Sequence, residues 1–286
     1  MKPYQPFVVF LIHLLLSLPN NTISASRSAE KVNENYKVRL DVPLSVEINM
    51  KAGQVAVQKN QLSDQVTISL RYNDRVDEID VEYNERRNEL LMVVDRRNWL
   101  HSVRDDDVPQ LQLLLPTAAV IKLDATIKAG KIEFMLDSLK ISKFELQSWA
   151  GEVKVDFPSP NRTQMETLDI DLKIGEARLR HLGNACFREA HINGGIGQLE
   201  IDFAGSGLSS ASADIDLDIG ETRIYLPADV GVRLDSSTFG FLTQSRLDFK
   251  FDKKGRFYLS ENYQSAGRKM DLSIRAGIGD LTVMYR

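Results

Sequence analysis

Several side chains in this sequence are of types that could do chemistry. Asp214-Ile-Asp216-Leu-Asp218-Ile-Gly220 carries three carboxylates on alternate positions, and closely spaced oxygen ligands are what a calcium loop requires. That loop also needs glycine at its sixth position and a bidentate glutamate at its twelfth, where this chain has Ile219 and Tyr225. The alternation reads instead as a strand with its aspartates in solvent, where they keep the chain soluble and discourage edge pairing. His181, Cys186, Glu189 and His191 fall in one short stretch. A zinc site built from them would need a geometry that strands rarely offer. His191-Ile-Asn193-Gly194-Gly195 is only a fragment of the glycine-rich nonapeptide of calcium-binding β-rolls. The expectation is therefore no metal and no cofactor. Cys186 is the only cysteine, so no internal disulfide can form, and it reads as a small packing residue.

Catalytic patterns are missing. Glycoside cleavage needs two carboxylates at a defined separation, and no pair stands out among the many acids. No nucleophile elbow or phosphate-cradling loop is present. The remaining candidates for ligand binding are aromatic: Trp149, two residues before Gly151, and Phe239 and Phe241, which flank Gly240. Aromatic faces suit sugar rings or partner side chains.

The elements that position these residues repeat. Lys-Ala-Gly-Gln-Val-Ala-Val at Gly53 returns as Lys-Ala-Gly-Lys-Ile-Glu-Phe at Gly130 and Trp-Ala-Gly-Glu-Val-Lys-Val at Gly151. Related copies follow at Gly175, Gly197, Gly220 and Gly279, and the steps from Gly130 to Gly220 are 21, 24, 22 and 23 residues. A period of this size means stacked supersecondary units. Apolar residues alternate before each glycine, as in Leu168, Ile170, Leu172 and Ile174, and resume one residue out of phase at Ala177 and Leu179. A one-residue slip turns side chains to the opposite face unless the chain bends. Each glycine is therefore expected to be a corner or bulge that keeps both arms facing inward. One strand–corner–strand unit cannot bury its face alone, so an all-β solenoid or β-roll is predicted.

Around the repeat, residues 66–95 read as a strand meander and residues 95–108 as a charged loop. Residues 245–264 read as an inserted β-hairpin around Asp252-Lys253-Lys254-Gly255, projecting from the stack or capping it. The polar residues 26–35 are expected to be a disordered leader, followed by one β-solenoid domain over residues 36–286. Residues 1–25 have the features of a secretory signal peptide: Lys2, an apolar run from Phe7 to Leu18 and a small residue, Ala25, for cleavage. The run is shorter than the about 20 residues a spanning helix needs, so no transmembrane span is expected in the mature chain. The 286-residue chain is 43% hydrophobic and 27% charged, with net charge −4. That composition suits a soluble fold, and the absence of a basic stripe argues against nucleic acid as a partner.

The glycine corners, the early Met50-Lys51-Ala52-Gly53-Gln54-Val55-Ala56-Val57 and the strand Leu113-Leu114-Leu115-Pro116 together resemble a bacterial extracytoplasmic family. It is the putative-adhesin, or toastrack, β-solenoid domain, similar to the C-terminal domain of cell-wall-active antibiotic response proteins. The resemblance covers about residues 38–286. It implies a single-stranded right-handed β-solenoid located at or outside the membrane, periplasmic or secreted. It also implies a non-catalytic binding, sensing or scaffold role with an envelope component, protein or glycan, as partner. It carries no catalytic residues to transfer. The alternative is a polysaccharide-active enzyme on a β-helix scaffold.

Overall fold

The computed structural model describes residues 29–97, 108–238, 243–247 and 251–286. The expected signal peptide, the centre of the charged loop, and Phe239 and Phe241 lie outside the described residues.

The fold is a stack of parallel rungs, seven of them bent at a glycine. Five rungs are single long strands that follow one another in the chain: β8 (Ile121–Met135), β9 (Ile141–Asp156), β10 (Met165–Arg180), β11 (Phe187–Asp202) and β12 (Ser210–Leu226). Each pairs in parallel with the next. The first arm of a rung runs up to the bend and the second runs away from it. A short turn then carries the chain to the start of the next rung. The arms face each other across one core. Phe134 in the second arm of β8 meets Phe144 in the first arm of β9 edge-on at 5.6 Å, and Phe144 meets Phe157 at 6.4 Å. In β10 the buried residues are Met165, Leu168, Ile170 and Leu172 before the bend, and Ala177 and Leu179 after it. The predicted phase slip is thus the inner face passing from one arm to the other.

The two ends are built differently. At one end, β2 (Leu44–Met50) and β3 (Gly53–Lys59) make a rung beside β8. Outside it lies a split rung of β6 (Glu89–Arg96) and β7 (Gln110–Leu115). At the other end the last strand, β17 (Lys269–Tyr285), pairs with β12 on one side. Its other side carries β13 (Gly231–Thr238) and β14 (Thr243–Leu247), which form the outermost rung. At both ends, therefore, the outermost rung is not the first or last in the chain. The long intervals from Gly53 to Gly130 and from Gly220 to Gly279 hold the end structures, yet each pair of glycines is adjacent in the stack.

Antiparallel strands finish the ends. β4 (Gln65–Tyr72) pairs with β7 and with β1 (Glu30–Lys37), and β5 (Asp77–Asn84) pairs with β6. The meander expected over 66–95 is therefore only a β5–β6 hairpin, with β4 joined to other partners. Residues 30–35, expected in a disordered leader, lie in β1. That strand is charged on its outward face and leans Val32 and Tyr36 on the core. The hairpin of residues 245–264 is narrower than expected. β15 (Phe251–Lys254) and β16 (Phe257–Ser260) form it, while Thr243–Leu247 belongs to the outer rung. β16 pairs antiparallel with β13, so the hairpin caps the stack.

Candidate functional site: the glycine bend and its isoleucine ridge

The seven repeat glycines form one column. Gly53, Gly130, Gly151, Gly175, Gly197, Gly220 and Gly279 are each paired with the next across adjacent rungs. Their φ values run from +133° to +151°, a region L side chains rarely enter. Space is a second constraint. A Cβ on Gly220 would overlap the carbonyl oxygen of Gly197, and the same overlap recurs along the column. The rungs approach so closely at the bend that only backbone fits.

This geometry reverses one expectation. Ile174, predicted to continue the inward alternation, is 58% exposed, and Ile196, Ile219 and Ile278 are 46–50% exposed. In β10 both Lys173 and Ile174 turn outward just before the bend, and burial resumes only at Ala177. The four isoleucines pair in register across β10, β11, β12 and β17. At the strand spacing of about 4.8 Å they make an apolar ridge roughly 14 Å long. The column continues as Ala150 and Ala129 in β9 and β8. Trp149 precedes Ala150 on the adjoining rung and is 52% exposed, with the Lys128 ammonium 4.7 Å from its ring centroid. Seven large hydrophobic side chains stand out as exposed among the described residues, and five of them are at this bend. Scattered exposed apolar residues are ordinary, but a contiguous set marks a contact surface. Beside the ridge runs a narrow cleft lined by Leu172, Leu199 and Leu217 and by Gly194, Gly195 and Gly277, which leave it open. Charge frames the ridge. Glu176, Gln198, Glu221 and Asp280 follow the glycines in the next column. Arg178 lies 3.5 Å from Glu152 and 3.7 Å from Glu176, and Arg223 pairs with Glu221.

The other candidates are dispersed. His181 bonds Asp156 at 2.7 Å in the turn after β10, whereas His191 stands on the outer face of β11, 3.8 Å from Asp214. Cys186 is half-buried, with its Sγ 3.4 Å from the Asn161 carbonyl and 3.3 Å from that of Asn184, and burial raises its thiol pKa. A thiol held this way is a poor nucleophile. Among the described residues no three histidine, cysteine or acidic side chains converge on a metal-sized point. Asp214, Asp216 and Asp218 do lie along a strand, and Asp216 is paired to Arg275 of β17.

One acidic column was not singled out in the sequence. Glu47, Asp124, Glu145, Asp169, His191 and Asp214 align across six rungs on the outer face of the first arm. Partial burial, then hydrogen bonding to Glu145 and the charges of Glu145 and Glu47, push Asp124 up to about 6. Burial raises Asp169 as well, while the hydrogen bond from Lys143 holds Glu145 below the usual range. Asp124 and Glu145 are hydrogen-bonded to each other, which leaves no room for a sugar between them.

The repeated rungs and their glycine seam are the features that a family comparison can recognise. The family model for the N-terminal domain of toast_rack, DUF2154, matches residues 24–180, more than half of the chain. The chain belongs to that toast-rack family. Residues 173–283 also match the model for the cell wall-active antibiotics response LiaF C-terminal domain. Among solved structures, it is similar to a putative cell adhesion protein from Clostridium sporogenes, with 13% identity and a TM-score of 0.44, covering 90% of this chain and 100% of that one. It is also similar to a putative adhesin from Bacteroides fragilis, with 11% identity and a TM-score of 0.36, covering 91% and 99%. None of the curated proteins matches the sequence.

Proposed function

We propose that this chain is a non-catalytic binding or scaffold module of the bacterial cell envelope, exported to the periplasm or beyond by residues 1–25. The observation that carries the reading is the isoleucine ridge, four apolar side chains held outward in register on a rigid seam. The family match and the match to the antibiotics response domain support the envelope setting. A partner would lay an apolar stripe along the stack, with Trp149 at the end of the ridge as a further contact. Phe239 and Phe241 remain sequence candidates for the same role. The enzyme alternative needs two acids facing each other across a cleft, and the Asp124–Glu145 pair lies outside the cleft beside the ridge.

The test is co-sedimentation of residues 26–286 with washed wall and membrane fractions from the source organism. The protein should pellet saturably with one fraction. The double variant I196S/I219S should bind at least about tenfold more weakly with an unchanged melting temperature, because both side chains are already half exposed. Absence of pelleting with either fraction would sink the proposal.

A further inference from the structure

A second concavity, of about 500 Å³, lies at the β1 end of the stack on the outer face of the second arms. Five strands form its floor, in the order β1, β4, β7, β3 and β8. One row of side chains crosses all five in register: Lys31, Arg71, Gln110, Gln54 and Lys131. Lys31 and Arg71 are directly opposed cross-strand neighbours, and like charges so placed destabilise a sheet. Among the described residues none of the three cations is in an ion pair. Glu133 is the sole carboxylate in the lining. Lys131 is the cross-strand neighbour of Glu152 and helps lower that carboxyl's pKa, so the unbalanced positive charge gathers at Lys31 and Arg71, on a chain whose net charge is −4.

We propose that this trough binds an anionic glycan, a sugar polymer carrying phosphodiester or carboxylate groups. The row has cations at its ends and amides between them. Arg71 and Lys131 are three strand steps apart, roughly 14 Å. Two anionic groups of a polymer can therefore be held at once while Gln110 and Gln54 bond the intervening hydroxyls. A peptide is the poorer fit. Under the row the four inner floor strands, β4, β7, β3 and β8, pair on both sides and offer no backbone edge, the one open edge being the far side of β1, and the apolar Val55, Leu70 and Leu111 are buried beneath the row. The trough shares no residue with the isoleucine ridge, so either proposal can fail without the other.

The experiment titrates the purified full chain with poly(glycerol phosphate), polygalacturonate, neutral dextran and poly-L-glutamate at low and moderate salt. One or both anionic glycans should bind, more weakly in added salt, and whichever binds identifies the anion. K31Q/R71Q should weaken binding at least about tenfold without lowering the melting temperature, since it removes an opposed like-charge pair. K131Q, at the other end of the row, should act in the same direction. The proposal is overturned if neither anionic glycan binds, if dextran or poly-L-glutamate binds equally well, or if both variants bind as the parent does.

Discussion

At Gly220 two demands meet, a φ of +147° and a neighbouring carbonyl where a side chain would begin. Either is costly, and neither can be relieved without separating two rungs. Gly220→Val, and equally Gly175→Val, should lower stability by roughly 3 kcal/mol or more. An unaltered denaturant midpoint would refute the seam geometry. Asp124 makes the opposite kind of prediction. Its folded pKa, about 6, lies above the unfolded value. Its contribution is therefore fully present below about pH 4 and is lost as pH rises through 6. Asp124→Asn removes that loss, so the variant should gain melting temperature over wild type at pH 7.5 and gain much less at pH 4. Equal gains at both would show that the carboxylate column does not strain the native sheet. The seven glycines were readable from the sequence because each recurs in the same short context. The outward isoleucines were not. Ile174 continues the alternation of Leu168, Ile170 and Leu172, and only the bend shows that its side chain turns away.

Among the elements, β17 has the most to reveal. It is the last strand made, yet it lies between β12 and the β13–β14 rung. It buries Met270, Leu272, Ile274, Leu281 and Val283. At about 1.5–3 kcal/mol for each such side chain, these five contribute on the order of 7–15 kcal/mol, comparable to the whole stability of a typical domain. A chain ending at residue 268 should therefore lose its cooperative melting transition, and a synthetic 269–286 peptide should restore it. Cooperative melting of the truncated chain at the parental temperature would show that the outer rung does not depend on this strand. Sequence reasoning found β17 as a final coil but not its place, because pairing order is not written in periodicity. It missed β1 because Glu30–Lys37 is polar on its outward face and only Val32 and Tyr36 lean on the core. An edge strand needs little more.

The whole molecule is electrically lopsided along the row of side chains that follows the glycines. Lys31, Arg71 and Lys131 occupy it at the β1 end, and Glu152, Glu176, Glu221 and Asp280 occupy it farther along. The trough could not be foreseen because its residues are spread from 31 to 133 in the sequence and meet only when the rungs are stacked. The two ends of the rack also have a consequence for its size. Each regular rung adds a turn of 21–24 residues to the chain, while the end structures stay outside the series. The middle of the rack is therefore extensible. A duplicate of residues 176–197 placed after Gly197 should slot in as one more rung, carry the glycine seam and the ridge one step further, and leave both caps as they are. The reach of the ridge is thus set by counting repeats, and can be lengthened in steps without redesigning either end.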